Sequence, residues 1–257
     1  MKIIRYKSGS GTHYGVLEDD GSILELSGSI FDQFKVGLKV DQLKNVQILA
    51  PVDPRKVICT GLNYQSHIRE MELATPEFPM LFMKPHTTVT NPEAPIMYPR
   101  AGQKVEYEGE LTIVIGKPTK QVSEAEALDH VLGYTCANDV SERVFQLREM
   151  KNGAMLIGKS FDTFCPLGPV ISTGLDPTNL ELTTRLNGEI KQNINTSDLL
   201  FTASHLISYI SEAIHLLPGD VILTGTPSGV SPMKPGDLVE IEISGIGTLR
   251  NPVVKDT

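Results

Sequence analysis

The sequence predicts an α+β chain rich in β-structure, closed or rolled on itself with helices on its outside. Three observations carry that prediction. Apolar and polar residues alternate over short runs such as Leu238 to Ile243, the period-two signature of half-buried strands. The 22 glycines and 17 prolines are spread along 257 residues and break the chain into many short pieces. Helical periodicity is confined to a few stretches. Many short strands between frequent turns suit a roll or barrel better than a bundle.

Taken in order, the elements support this reading. His13-Tyr14-Gly15-Val16-Leu17 and Ile23-Leu24-Glu25-Leu26 flank Glu18-Asp19-Asp20-Gly21, a hairpin pattern with an Asp-Gly turn. Pro51-Val52-Asp53-Pro54-Arg55 then interrupts any regular element. This places a boundary near residue 52, dividing a small N-terminal β domain, 1–52, from a larger domain, 53–257. Lys56-Val57-Ile58-Cys59 reads as an apolar strand, and Ser123-Glu124-Ala125-Glu126 as a capping box that opens a short helix. Leu180 to Leu186 and Glu189 to Ile194 form a hairpin about Asn187-Gly188. Leu206, Ile207, Ile210, Ile214 and Leu217 recur at helical spacing until Pro218-Gly219, predicting a helix that turns these side chains into the core. Two Pro-Gly-Asp turns each lead into a strand, but their flanks differ, so no internal repeat is read.

Composition restricts the function classes. A net charge of -8 without a Lys/Arg cluster argues against nucleic acid or an anionic membrane surface as partner and favours a small molecule. The start Met1-Lys2-Ile3-Ile4-Arg5-Tyr6-Lys7 lacks the apolar core of a signal peptide. No apolar run approaches the ~20 residues of a membrane span, and a cytoplasmic protein is expected. Cys59, Cys136 and Cys165 are odd in number, far apart and set in apolar sequence, which reads as buried thiols rather than disulfides or a zinc site.

The chemistry concentrates in a few places. Glu106, Glu108 and Glu110 alternate ahead of the apolar run Leu111 to Ile115, so an extended chain points all three carboxylates one way. Either a divalent metal holds them together, or they form a solvated strand face. Gly153 to Ser160 fits the phosphate-loop pattern G-x-x-x-x-G-K-[ST]. Met155, Leu156 and Ile157 fill that loop, and Phe161-Asp162-Thr163-Phe164-Cys165-Pro166 is a poor helix start, so a nucleotide site is rejected. Lys159 lies between an apolar run and a Phe/Pro-rich turn; it is either an ordinary surface lysine or one partly buried and shifted toward neutrality. His67 and Glu70 share one helical turn, as a general-base pair or an exposed i,i+3 contact. Asp139 ends the strand-like Leu132 to Asn138, as a ligand or a turn former. Thr224-Gly225-Thr226-Pro227-Ser228-Gly229 follows a strand and can offer N–H and hydroxyl groups to an anion.

Together these residues resemble the fumarylacetoacetate hydrolase family, from about Lys56 to the C-terminus. The resemblance rests on Gly61-Leu62-Asn63-Tyr64 with His67 and Glu70, Tyr107-Glu108-Gly109-Glu110-Leu111, Asn138-Asp139-Val140-Ser141, Gly158-Lys159-Ser160-Phe161-Asp162 and Leu223 to Val230, in that order. It implies a mixed β-roll surrounded by helices, a homodimer, and a small N-terminal domain. It further implies that Glu108, Glu110 and Asp139 bind Mg2+ or Mn2+, with Glu106 a neighbour. His67, Glu70 and Lys159 would be catalytic, and Gln146 and Thr226 would contact substrate.

The implied substrates are small 2-oxo acids, chelated through the 2-oxo oxygen and one carboxylate oxygen. Cleavage of the C3–C4 bond would leave an enolate that the metal stabilises. His67, supported by Glu70, would activate water for acylpyruvate hydrolysis; oxaloacetate would lose CO2 without water. Lys159 would move the proton at C3. A 2-hydroxyhepta-2,4-diene-1,7-dioate isomerase or an oxaloacetate keto-enol tautomerase is the enzymatic alternative, and a non-catalytic, metal-stabilised binding protein the remote one. Residues 64 to 79 are expected to order over bound substrate as a lid.

Overall fold

The N-terminal hairpin and the apolar strands of the longer segment hydrogen-bond into one sheet in the computed structural model, which describes residues 1–256 except Met71, Leu73 and the side chain of Glu70. Across this sheet run Phe34–Gln42, Ser22–Gly28, Gly11–Leu17, Lys2–Ser8, Cys165–Ser172, Val131–Asn138, Gly109–Ile115, Val221–Leu223, Val57–Gly61 and Met80–Lys84. A second sheet orders Glu189–Asn195, Glu181–Leu186, Leu238–Ile243, Gly247–Lys255 and Ile96–Tyr98. Val221–Leu223 runs parallel to Val57–Gly61 and Gly247–Lys255 parallel to Ile96–Tyr98, among otherwise largely antiparallel neighbours. Neither sheet closes into a barrel, so the β-rich α+β fold takes the rolled form.

The local signals act as their chemistry requires. In the first hairpin Gly15 faces Glu25, and Gly21 adopts φ 78°, open to glycine at no steric cost. Asn187 and Gly188 both take positive φ, 54° and 82°, the two-residue turn that matches strand twist. Leu238–Ile243 alternates about its buried residues Val239, Ile241 and Ile243.

Four α-helices are described: α1 Gln65–Glu70, α2 Glu124–Ala127, α3 Arg143–Met150 and α4 Ala203–Ala213. The capping box opens α2, with Ser123 Oγ donating to Glu126 Oε2 at 2.6 Å. Helix α4 buries Leu206, Ile207 and Ile210 but stops short of the predicted end at Pro218. Ile214 is already extended, and Leu216 exchanges two backbone hydrogen bonds with Thr119, each 2.9 Å. A bridge to another segment thus overrides helical periodicity, and Leu216, not Leu217, fills the core. No helix among the described residues is long and apolar enough to cross a membrane.

Gly109–Ile115 lies centrally and is buried at all seven positions. Leu111, Ile113 and Ile115 pack with Leu182, Ile241 and Leu249 of the second sheet, while Val114 packs with Val57, Cys59 and Leu223. Each such side chain contributes roughly 1.5–3 kcal/mol by leaving water. This strand is therefore a rigid platform, and the candidate site grows from its first residues. All three cysteines are buried and free, and burial pushes the Cys165 thiol up to about 12.

Candidate functional site

Antiparallel pairing with Gly109 opposite Asn138 brings Asp139 beside Glu108. The Asp139 N–H donates to the Glu108 carbonyl, and Asn138 Oδ1 accepts from the Glu108 N–H, both at 2.9 Å. Two residues on, Glu110 points the same way as Glu108. Between them Gly109 faces the second sheet, where a Cβ would lie 2.1 Å from Thr184 Oγ1. Glycine thus lets the sheets approach while its neighbours present carboxylates.

One ligand oxygen from each of Glu108, Glu110 and Asp139 lies within 4.8 Å of the others, and all three residues are buried. A solvated strand face is excluded. Two carboxylates about 4 Å apart repel by about 4 kcal/mol at an effective dielectric near 20, so the cluster is a place for positive charge. An all-oxygen donor set suits a hard divalent cation, and these three residues fit one.

Electrostatics within the cluster are uneven. Burial pushes the Glu108 carboxyl upward, but Lys159 and Arg143 outweigh it and hold that group at about 2. Burial raises Glu110 well above the usual carboxylate range, and Asp139 and Glu108 add to the rise. Glu110 Oε2 accepts one hydrogen bond, 2.6 Å from the Gly225 N–H. Gly225 has φ 98°, and a Cβ there would lie 2.9 Å from that of Asn63, so the loop after Val221–Leu223 needs glycine to reach the carboxylate.

Lys159 Nζ bridges Glu108 Oε2 at 2.8 Å and Asp139 Oδ2 at 2.6 Å. It is only 2% exposed, so it is no surface lysine. The expected shift toward neutrality is also wrong: burial acts in that direction, but Asp139 and Glu108 overcome it and raise the ammonium above its ordinary pKa. The phosphate-loop pattern is coincidental, because Ile157–Lys159 is a single 3-10 turn without a following helix. Gly158 instead lets that turn lie against α3, where a Cβ would be 2.5 Å from the Gln146 nitrogen.

These groups border a cavity of about 460 Å3 that His67, Gln146 and Thr226 also line. Gln146 Oε1 accepts from Arg143 Nη1 at 2.6 Å. Thr226 Oγ1 donates to the Gly109 carbonyl at 3.0 Å and accepts from Gln192 Nε2 at 2.8 Å. His67 stands on α1 at the cavity wall, whereas the side chain of Glu70 lies outside the described residues, so their pairing is not described. Met71 and Leu73, within the segment expected to form a lid, lie outside them too.

Two cations were not found by reading the sequence. Lys84, 2% exposed, donates to Asp139 Oδ1 at 2.5 Å and to the Val140 carbonyl at 3.0 Å. Its partner Asp139 lies 55 residues away, and a lysine closing an apolar strand ordinarily carries its ammonium out to water, so no local pattern marks it. Arg143 bonds Glu108 through Nη2 and Glu106 through Nε, the latter at 2.5 Å. These partners are 35 and 37 residues distant, and nothing local announces them. Glu106 turns to Arg143 and to Lys104, 3.0 Å away, and stands apart from the three-carboxylate cluster. Buried Glu142 caps α3 by accepting from the Phe145 N–H at 2.7 Å and fixes the Lys104 backbone at 2.8 Å.

Residues 56–254 match the fumarylacetoacetate (FAA) hydrolase C-terminal family, and residues 1–51 match the family described as Rv2993c-like, N-terminal. Over 247 residues, 90% of this chain and 77% of the relative, the sequence is 42% identical to oxaloacetate tautomerase fahd2, mitochondrial, of Xenopus laevis. The solved structure of 5-carboxymethyl-2-hydroxymuconate delta-isomerase from Mycobacterium smegmatis superimposes with a TM-score of 0.92 at 43% identity, covering 100% of both chains. Maleylpyruvate hydrolase from Sphingobium sp. SYK-6, solved with manganese(II) and pyruvate, superimposes with a TM-score of 0.82 at 28% identity, covering 100% of both chains. The chain belongs to the fumarylacetoacetate hydrolase family.

Proposed function

We propose that this chain is a Mg2+- or Mn2+-dependent enzyme acting next to the ketone of small 2-oxo acids, by C–C hydrolysis of acylpyruvates or decarboxylation of oxaloacetate. The observation that carries the reading is the buried Glu108, Glu110 and Asp139 cluster with Lys159 beside it, at one end of a cavity large enough for such a molecule. When held by the three carboxylates, a divalent cation supplies Lewis-acid polarisation of the 2-oxo group and steadies negative charge developing on its oxygen.

The remaining steps belong to the chain's own residues. Lys159, kept cationic by Glu108 and Asp139 and 4.9 Å from the centre of the Phe82 ring, holds a proton for C3 as the C3–C4 bond breaks. His67, with Glu70, takes the proton of the water that attacks a C4 ketone. Gln146 and Thr226, fixed by Arg143, Gln192 and the Gly109 carbonyl, orient the substrate's oxygens. Burial of Glu108, Glu110, Asp139 and Lys159 lowers the local dielectric and so strengthens the charge interactions among them. We also propose residues 1–52 as a small N-terminal domain, 53–257 as the catalytic domain, a homodimer, and a cytoplasmic location.

A second reading, oxaloacetate keto-enol tautomerase or 2-hydroxyhepta-2,4-diene-1,7-dioate isomerase, is favoured by the names of the Xenopus laevis and Mycobacterium smegmatis proteins. One experiment separates them. Pyruvate release from acetylpyruvate and oxaloacetate is measured with Mg2+, with Mn2+ and with chelator, against the metal's own rate. Metal-dependent release above that rate supports C–C cleavage. Loss of the oxaloacetate enol absorbance without pyruvate would replace it by the second reading.

A further inference from the structure

The phosphate-loop pattern over Gly153 to Ser160 does embrace an anion, but one of the chain's own. Glu149 lies in the last turn of α3, a helix that starts at Arg143 at the inner end of the cavity and carries Leu147 and Met150 along its outer wall. A carboxylate so close to a helix C-terminus faces the negative end of the helix dipole and needs donors of its own. It has three. Oε2 accepts from the Leu156 N–H at 3.2 Å and from the Gly158 N–H at 3.0 Å, and Oε1 accepts from the Ile157 N–H at 2.8 Å. Burial pushes the carboxyl up, but the Gly158, Ile157 and Leu156 N–H groups outweigh it and hold the group below the ordinary carboxylate value. The Glu149 carbonyl also accepts from the Asn152 and Ala154 N–H groups, at 2.8 and 3.2 Å. One residue therefore gathers the chain from 152 to 158 against the end of α3.

What it gathers is the turn that carries Lys159. Leu156 and Ile157 are 50% and 49% exposed, so apolar burial does little to fix the turn on its outer side. Within the turn, the Lys159 N–H donates to the Leu156 carbonyl and the Ser160 N–H to the Ile157 carbonyl, at 3.1 and 3.0 Å, which sets its shape but not its place. The helix and the turn meet a second time at the carboxylate cluster. Arg143 Nη2 bonds Glu108 Oε1, while Lys159 Nζ reaches Glu108 Oε2 at 2.8 Å. Glu149 thus closes a ring that runs from Glu108 through Arg143 and α3 to Glu149, then through the turn to Lys159 and back to Glu108. Opening that ring at Glu149 loosens the spacing of the two cations on Glu108.

We infer, building on the role proposed above for Lys159, that Glu149 is a positioning residue whose carboxylate clamps the 156–158 backbone to α3 and so sets where the Lys159 ammonium stands against Glu108, Asp139 and a bound substrate. Glu149 does not line the cavity and acts only through Lys159. A misplacement of about 1 Å can cost about 10²-fold in rate, which gives a side chain outside the cavity a hold on the chemistry within it.

A double-mutant cycle on the Mn2+-loaded protein, with oxaloacetate and acetylpyruvate as substrates, tests this together with amide hydrogen exchange. Glu149→Ala should lower kcat roughly 10- to 100-fold. Its KM should stay within about threefold, and Mn2+ affinity by calorimetry should hold or tighten, because the three carboxylates are untouched. Glu149→Gln keeps one acceptor oxygen and should fall between Ala and the unsubstituted protein. On a Lys159→Ala background, Glu149→Ala should cost no more than about twofold further, because the two residues act as a unit. Exchange of the Leu156, Ile157 and Gly158 amides should speed about tenfold or more in Glu149→Ala, with the amides of Gly109–Ile115 unchanged. A loss as large on the Lys159→Ala background as without it, or exchange at 156–158 as slow as before, overturns the inference and leaves the proposed function standing. An unsubstituted protein that turns over no 2-oxo acid overturns that function, and the positioning role with it.

Discussion

The two ends of the cavity are built on opposite principles. At the inner end the carboxylates of Glu108, Glu110 and Asp139 are buried on a central sheet strand and the turn beside it, and most of their oxygens are met by a chain donor. At the outer end Leu147 and Met150 stand half in solvent on a short helix. The difference teaches where each property is kept. In the proposed function the reacting end would sit on rigid elements whose register cannot slip, and the outer wall on side chains that can change cheaply.

Substitutions should reproduce that contrast. Lys84→Met strips Asp139 of a fully buried partner, and breaking such a pair costs about 3–5 kcal/mol. Urea unfolding should show this loss, while Met150→Lys, at an exposed position, should move stability by no more than about 0.5 kcal/mol. Equal effects would mean the inner charges are not structural. The next largest effect is on turnover: Lys159→Ala should lower kcat by roughly 10²–10⁴. Metal affinity, read by calorimetry on the same preparation, should hold or tighten, because Lys159 competes with a cation for Glu108 and Asp139. Affinity falling in step with kcat would make Lys159 a structural group.

The smallest effect is on protons. Burial, then Asp139 and Glu108, keep Glu110 protonated to a higher pH than an ordinary carboxyl. A cation binding there displaces that proton, so affinity should rise with pH up to the raised pKa and weaken toward acid. Calorimetry in two buffers of different ionisation enthalpy counts the protons released. Heats independent of buffer would show that Glu110 binds the metal without titrating.

Much of the site was legible because its residues are close in sequence or fixed by short-range rules. Alternation put Glu106, Glu108 and Glu110 on one face without separating them, and the family resemblance singled out Glu108 and Glu110 together with Asp139, the three that the fold brings within 4.8 Å. Lys159 was found, but with the wrong charge tendency, since its carboxylate partners come from other segments, 51 and 20 residues away. Lys84 and Arg143 meet carboxylates 55 and 35 residues away or more, which no local pattern encodes. The predicted helix over Leu206 to Leu217 lost its last turn to a bridge with Thr119 that no periodicity encodes.

By itself, then, the sequence determined what depends on neighbours: the hairpins at Gly21 and Asn187-Gly188, the capping box at Ser123, and the glycine between two glutamates where the central strand begins. Tertiary structure alone decided which charges survive burial, which cations stand behind the carboxylates, and that the cavity turns from ionic to apolar along α3. The reason is physical. Backbone conformation follows mainly from local sterics and hydrogen bonding, whereas ionisation and cavity shape depend on groups that only folding brings within a few ångströms.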